Sequence, residues 1–293
     1  MKITIKCQGD KMLLATGLEP EVVRQIFGYL LGRALDLYGV LLHAAVQMGN
    51  HHHLDITDVR GVLPNFKGFL HGMLARAFNC YRGRTGDFWE RAGSCDTVRD
   101  NDEEAIGDLV YTDANPVSAG LVKWAEIWPG LTTAGWAFGD ECTFERPTLP
   151  FFTDENEAWP PNVTIVRSRP PCLRDLSDEE ATELLEDAVR RRCVEKQAEM
   201  RESKRRFRGA QKLAKERWWR RPKHPKPRYG VRPQVAVRCK WRRLAALQRK
   251  RSWEAEYAAA DEAFKNGNRD VEFPHGTWLV RQRHGVRVGA APS

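Results

Sequence analysis

Three consecutive histidines, His51, His52 and His53, are the residues of this chain whose type and spacing most directly suggest chemistry. A Gly-Asn pair at 49–50 separates them from the apolar run 40–48, a pattern that predicts strand, tight turn and strand. Successive side chains of a strand point to opposite faces, so His51 and His53 share one face and His52 points the other way. Two imidazoles placed in this way can hold one cation between them. Chance spacing of structural histidines is the competing interpretation.

A second set of chemical groups lies on a helix predicted over residues 101–115, which Asn101 can cap and Pro116 closes. Tyr111 and Asn115 are four residues apart and would therefore share one face of this helix. A phenol is a potential nucleophile, and an amide oxygen is a potential metal ligand. With the histidine pair, these residues could surround a single ion. The alternative for Tyr111 is an ordinary half-buried tyrosine.

The elements that must position these groups alternate between helix and strand. A strand is predicted over residues 3–6, one amphipathic helix between Pro20 and Gly39, and a second from about Pro64 to Tyr81. With the strand pair that carries the histidines, this order predicts an α+β fold. We expect an antiparallel sheet with helices on one face.

Composition divides the chain into three parts. Residues 1–135 contain the elements above and are predicted to form the first domain. Residues 136–176 are rich in proline and aromatic residues, and we expect a linker there because prolines interrupt regular elements. Residues 177–293 are predicted to be mostly helical. A capping box at 177–180 opens one long helix, and another runs from about 240 to 264.

The positive charge of the chain is concentrated in one segment. Residues 201–251 carry 21 lysines and arginines but only two acids, a net charge of +19, whereas the rest of the chain carries −11. Such a concentration is expected of a protein that meets a polyanion, and it predicts that the C-terminal region binds DNA. A solvated basic helix is the competing interpretation.

Several functional classes are disfavoured by the sequence. The seven cysteines are scattered and never spaced as CxxC, so neither a disulfide framework nor a zinc ribbon is indicated, and a reducing, cytoplasmic location is expected. No apolar run approaches the roughly 20 residues of a membrane span, and no signal peptide is recognisable, so no membrane partner is expected. The absence of a P-loop and of a GxGxxG motif argues against a nucleotide cofactor.

Three blocks of the sequence resemble a known family. MGNHHHL (48–54) looks like the M-x-N-H-x-H-L signature of the single-tyrosine HUH transposases. YTDANPVSAGLV (111–122) is similar to the Y-x-x-x-N-P-x-x-A-G-L-V block of their REP-associated branch, and TGDFWER (85–91) resembles its G-x-x-W-x-R element. The blocks occur in the family's order. Residues 20–130 therefore resemble a REP-associated tyrosine transposase with the IS200-like transposase domain.

The resemblance implies a fold, a cofactor and a reaction. The fold would be the ferredoxin-like sheet of an HUH endonuclease. His51, His53 and Asn115 would bind a divalent metal, Mg²⁺ or Mn²⁺, and Tyr111 would be the catalytic nucleophile. The protein would be a metal-dependent tyrosine transposase that cleaves and rejoins single-stranded DNA, often beside a hairpin, through a 5′-phosphotyrosine intermediate. It would act as a monomer or homodimer.

Basic and aromatic side chains are expected to hold the DNA strand by phosphate contacts and base stacking. The candidates near the site are Arg76, Arg82, Arg84, Trp89 and Arg91, and those in the basic segment are Trp218, Trp219, Arg220, Arg221, Lys223 and Arg228. Core packing is the competing role for each aromatic residue. Two other functions stay open: a catalytically inactive, domesticated DNA-binding protein, and a metallohydrolase that activates water and leaves no covalent adduct.

Overall fold

A four-stranded antiparallel sheet organises the N-terminal part of the chain. The computed structural model describes residues 1–14, 19–91, 93–99, 101–152, 159–215, 217–219 and 239–290. Its strands are β1 (Lys2–Lys6), β2 (Val40–Gln47), β3 (His51–Asp58), β4 (Cys95–Thr97), β5 (Glu141–Glu145), β6 (Asn162–Val166), β7 (Glu272–Phe273) and β8 (Arg287–Val288). Its α-helices are α1 (Pro20–Tyr38), α2 (Leu63–Tyr81), α3 (Asp102–Asp113), α4 (Asn115–Ser118), α5 (Asp178–Glu202), α6 (Ala210–Ala214), α7 (Lys240–Lys265) and α8 (Trp278–His284).

The main sheet has the strand order β2-β3-β1-β4, and each neighbouring pair is antiparallel. Helix α1 connects β1 to β2, the turn at 49–50 connects β2 to β3, and α2 leads towards β4. The predicted α+β class and antiparallel sheet are confirmed. Local sequence signals explain why the prediction succeeded. For example, α1 begins at Pro20, and it ends before Gly39, which adopts the left-handed conformation with φ 62°.

Helices cover both faces of the sheet, so the expectation of helices on one face was wrong. α1 and α2 pack on the face that carries His52 and Leu54, where the ring of Phe27 lies 5.3 Å from that of His52. α3 packs on the opposite face, against β2 and β3. The physical reason lies in β3, where the side chains of residues 52–56 are all buried instead of alternating between buried and exposed. Because both faces of this strand are buried, each face must be covered by other elements.

The segment 136–176 is not a linker, which corrects the prediction for it. β5 and β6 form an antiparallel hairpin that packs against α1, and the side chains of Phe144 and Val163 belong to the main hydrophobic core. Two glycines of α1 make this packing possible. A methyl group at Gly28 would overlap the Phe144 ring, and one at Gly32 would press on Val163. The prolines lie outside the paired residues, so they do not interrupt the hairpin.

The C-terminal part contains the two long helices predicted for it. The capping box is present at the start of α5, where Ser177 and Glu180 each accept the other's backbone N–H. α5 packs on the second hydrophobic cluster through Ala181 and Leu185, near α3 and α4. None of the described helices is both long and apolar enough to span a membrane.

Candidate active site

One face of the sheet carries a ladder of polar side chains from its two central strands. Three cross-strand pairs form this ladder: Lys6–His51, Thr4–His53 and Lys2–Asp55. Because residues two apart on a strand share a face, all six side chains belong to the face that α3 covers. The chemistry of the site is therefore decided by β1, β3 and α3 together.

Tyr111 lies beside this ladder. Its ring centroid is 5.3 Å from that of His53, in an edge-to-face arrangement, and the tyrosine is 48 % exposed. The next residue, Thr112, is fully buried and donates its hydroxyl hydrogen to Asp55. A hydrogen bond thus fixes α3 on β3, while the phenol beside it faces solvent and can meet a substrate.

The two histidines of the shared face are close together and are oriented by neighbouring side chains. The ring centroids of His51 and His53 are 4.9 Å apart. Nδ1 of His53 is 2.7 Å from the Thr4 hydroxyl oxygen, and Nδ1 of His51 is 2.7 Å from the Asn50 side-chain oxygen, to which it donates. Burial lowers the pKa of His53 well below its usual value. His53 is therefore the neutral imidazole, the form that binds metals.

Nε2 of His53 suits a metal ion. This atom is buried and has no hydrogen-bond partner among the residues that the structure describes. A buried, unpaired imidazole nitrogen is costly unless something occupies it. No group of three or more His, Cys, Asp or Glu side chains could hold a metal ion in the described part of the chain. The expected ligands are two imidazoles and an amide, which is not a group of that kind. The unpaired Nε2 of His53, beside the His51 ring, fits a metal ion held by this expected set.

A network of charges surrounds the Lys2–Asp55 end of the ladder. Lys2 is buried, donates from Nζ to the Asp108 backbone oxygen at 3.2 Å, and lies 3.7 Å from the Asp108 carboxylate. Arg99 donates to both oxygens of the same carboxylate. Burial lowers the pKa of Lys2 and raises that of Asp55 to about 6. The site thus has one buried cation from β1 that sequence reasoning did not identify.

Asn115 and Tyr111 lie on two helices, which corrects the prediction of one continuous helix over residues 101–115. α3 ends at Asp113, and Asn115 is the first residue of the separate helix α4. The break follows from Pro116, which has no N–H to continue the helical hydrogen-bond ladder. Asn115 is 5 % exposed.

The candidate DNA contacts near the site are dispersed. Arg76 is exposed on α2, which covers the opposite face of the sheet from Tyr111. Arg91 is exposed and pairs with Asp87. Trp89 packs against His52 and His71 and donates its indole N–H to the His71 backbone oxygen, so its ring belongs to the core rather than to a base stack. The competing interpretation of core packing holds for Trp89.

Arg82, Arg84 and Trp218 come together at another place. Arg82 donates to the Leu13 backbone oxygen, and the guanidinium carbon of Arg84 lies 5.8 Å from the ring centroid of Trp218. The backbone of Met12 donates to Trp218, and this loop continues to Leu14, which donates to Gly49 in the turn before His51. Trp218, within the basic segment, therefore lies near the end of the sheet where His51 begins β3.

Trp219 is 53 % exposed, and its ring lies 5.7 Å from the Arg217 guanidinium. The remaining candidates, Arg220, Arg221, Lys223 and Arg228, lie outside the described residues.

Sequence reasoning missed the residues that orient the site: Lys2, Thr4, Asp55 and Asp108. Each contacts a candidate residue or its helix only because β1 pairs with β3 in one particular register. The alternation of Lys2, Thr4 and Lys6 with isoleucines was a visible signal, because it predicts three polar side chains on one strand face.

No protein-family model matches this chain, and no curated protein matches it. A solved structure of a REP-associated tyrosine transposase bound to a REP hairpin is similar to it, with a TM-score of 0.33 and 16 % sequence identity. The match covers 45 % of this chain and 74 % of that one. Likeness at this level does not carry function from one chain to the other.

Proposed function

We propose that the protein is a transposase or single-strand endonuclease that cleaves and rejoins DNA through a covalent bond to Tyr111. The observation that carries this proposal is the placement of a solvent-exposed phenol 5.3 Å from the imidazole of His53. Both rings lie on one sheet face, and rigid elements hold both. A nucleophile beside a metal-binding group is the arrangement that phosphodiester cleavage by a side chain requires.

The fold proposed is the ferredoxin-like sheet of an HUH endonuclease. Two features support it: the element order β-α-β-β-α-β of the first six elements and the strand order β2-β3-β1-β4. In this assignment α3 follows the last strand of the motif and brings Tyr111 back across the sheet. The region 177–293 would then be an addition that binds DNA.

His51, His53 and Asn115 are proposed to hold Mg²⁺ or Mn²⁺. When bound, this ion polarises the scissile phosphodiester and neutralises charge that develops on its oxygens. The imidazole donors favour Mn²⁺, because it accepts nitrogen ligands more readily than Mg²⁺ does. The Thr4 hydroxyl oxygen, 2.7 Å from Nδ1 of His53, would accept the Nδ1–H and leave Nε2 as the nitrogen that could bind the ion.

Tyr111 attacks the phosphorus atom of the scissile phosphodiester. The bond between its phenol oxygen and phosphorus forms, the bond from phosphorus to the 3′-oxygen breaks, and the 3′-oxygen leaves with the electron pair and gains a proton. The phenol proton passes to solvent, since the ring is half exposed. One ester replaces another, so a later 3′-hydroxyl can reverse the step on a second strand without ATP.

Single-stranded DNA, often beside a hairpin, is the proposed substrate. The basic residues from 201 to 251 would bind the strand by releasing counterions. Arg82, Arg84 and Trp218 would guide it past the turn that precedes His51, because the loops at that end of the sheet bring them together.

The test is the formation of a covalent protein–DNA adduct. Labelled single-stranded hairpin oligonucleotides are incubated with the protein and Mn²⁺, and the products are separated on a denaturing gel. We expect a shifted, protease-sensitive band that disappears with Tyr111→Phe or with a chelator, whereas Tyr111→Phe still binds the oligonucleotide. Tyr38→Phe is the matched control and keeps the adduct. An undiminished adduct with Tyr111→Phe would remove this residue from its role.

A DNA-binding protein without catalysis is the second candidate. One observation favours it: the third expected ligand, Asn115, is buried and lies on the separate helix α4 rather than on α3 with Tyr111. Such a protein would bind hairpin oligonucleotides with the same salt dependence but form no adduct under any metal condition. Cleavage without an adduct would instead indicate a metallohydrolase.

A further inference from the structure

Lys2 is the buried cation nearest to the proposed nucleophile. Its Nζ lies 4.0 Å from the ring centroid of Tyr111, over the face of the ring, and the residue is only 7 % exposed. Lysine is rarely buried to this extent unless it is paired. The attraction between an ammonium group and the face of an aromatic ring depends on distance and direction, so this contact restricts where the Tyr111 ring can lie.

The same ammonium group also holds the helix that carries the tyrosine. Nζ donates to the backbone oxygen of Asp108 at 3.2 Å and lies 3.7 Å from its carboxylate. Asp108 is three residues before Tyr111 on α3, so the two residues are neighbours on the helix surface. Lys2 therefore contacts the ring and the preceding turn at once, and it joins both to β1.

Two carboxylates lie beside this cation. Asp55 is the cross-strand partner of Lys2, and Asp108 contacts it directly. Burial, together with the charge of Arg99, lowers the pKa of Lys2, whereas both carboxylates act in the opposite direction. As the phenol loses its proton before the bond to phosphorus is complete, negative charge develops on its oxygen and spreads into the ring. A fixed ammonium group over the ring face stabilises that charge more strongly in a water-excluded position than it would in solvent.

We propose that Lys2 is a positioning residue for the nucleophile: its ammonium group orients the Tyr111 ring beside His53 and offsets the negative charge of the attacking phenol. The inference rests on the proposed function and adds a group to its site. It predicts that the charge of Lys2, and not only its bulk, determines the rate of adduct formation. A purely structural lysine would instead affect folding, metal binding and DNA binding together.

The experiment compares Lys2→Met, Lys2→Arg and Lys123→Met in the full-length chain. Lys2→Met keeps the length of the side chain and removes the charge, Lys2→Arg keeps the charge, and the exposed Lys123 is the matched control. Three quantities are measured for each: the single-turnover rate constant of adduct formation at saturating oligonucleotide and Mn²⁺, the Kd for the oligonucleotide, and the Kd for Mn²⁺ without DNA. Thermal melting reports whether each variant is folded.

We expect Lys2→Met to lower the rate constant about 10- to 100-fold while both Kd values stay within about twofold of wild type. Lys2→Arg should recover most of the rate, and Lys123→Met should match wild type. If Lys2→Met does not fold, Lys2→Gln replaces it in the comparison with Lys2→Arg. A normal rate in the uncharged variant, or an equal loss in the arginine variant, overturns the role of the charge while leaving the proposed function intact. If wild type itself forms no adduct, both fail.

Discussion

Replacing Thr4 by valine should weaken metal binding without touching a metal ligand. The Thr4 hydroxyl oxygen lies 2.7 Å from Nδ1 of His53. Valine has nearly the same shape and favours a strand equally well, so the substitution removes only the hydrogen-bonding group. The His53 ring then loses the partner that fixes its tautomer and its rotation.

The size of the effect follows from this single contact. Loss of the partner that orients a metal-binding histidine typically costs about 10- to 100-fold in metal affinity, or about 1.4 to 2.7 kcal/mol. Thr4→Val should therefore raise the Kd for Mn²⁺ by this factor. Because Nδ1 of a buried histidine is left unpaired, the free energy of unfolding should also fall by about 1–3 kcal/mol.

Calorimetric titration of the DNA-free protein with Mn²⁺ measures the affinity, and urea denaturation measures the stability. Thr4→Ser keeps the hydroxyl group and should bind Mn²⁺ as wild type does. Thr143→Val is the matched control, since it removes one hydroxyl from the exposed Thr143–Thr164 pair, whose oxygens are 3.0 Å apart, on a different sheet. A Thr4→Val protein with unchanged Mn²⁺ affinity would show that His53 is not a ligand or that its orientation has another cause.

Three further predictions concern the fold and the basic region. Burial lowers the pKa of His43 to about 4, so as the pH falls through about 6.5 this histidine takes up a proton in the unfolded chain but not in the folded protein. Between pH 7 and pH 5 the free energy of unfolding should therefore fall by about 2 kcal/mol more in wild type than in His43→Gln. Gly28→Ala should destabilise the protein by about 1–3 kcal/mol because the added methyl overlaps an aromatic ring, whereas Gly68→Ala, at an open position of α2, should not. Replacing Arg242 and Arg243 together by glutamine should make the plot of log binding constant against log salt concentration for single-stranded DNA shallower by roughly one unit of slope.

Each of these predictions has a control and a contrary outcome. His284→Gln changes an exposed histidine and should show the same pH profile of urea denaturation as wild type. If His43→Gln also shows the wild-type profile, the loss of stability in acid is caused by groups other than His43. Equal melting temperatures for the two glycine variants would mean that the β5–β6 hairpin shifts to accept the methyl. For the double variant at Arg242 and Arg243, the control is Lys265→Gln at the C-terminal end of α7. An unchanged salt slope in the double variant would show that the DNA does not contact these two arginines.

The sequence predicted the local elements well because their signals are local. The apolar run 40–48 and the Gly-Asn turn predicted the histidine strand, and a terminal proline and glycine predicted α1. The partners of the histidines could not be predicted in the same way. Thr4 meets His53 only through the register of β1 on β3, and register depends on pairing between strands that are distant in sequence.

Two errors came from treating proline as a sufficient signal. Pro116 was expected to close a helix that includes Asn115, but the helix breaks before that residue. The prolines between 136 and 176 suggested a linker, yet Phe144 and Val163 pair in a hairpin that packs on α1. The glycines of α1, four residues apart on one helical face, were the missed signal of a close approach by another element.

The position of Tyr111 depends on two anchors of α3. At the middle of the helix, Asp108 is held by Lys2 and Arg99, and at its end Asp113 forms a buried ion pair with Arg167, at 2.7 Å. Removal of one partner of a buried ion pair typically costs about 3–5 kcal/mol, because the other charge is left uncompensated. A helix fixed in this way exposes one phenol without becoming mobile. Preorganisation of this kind lets a weak nucleophile meet a phosphate in one geometry, and a tyrosine on an anchored helix is held more firmly than a tyrosine on a loop.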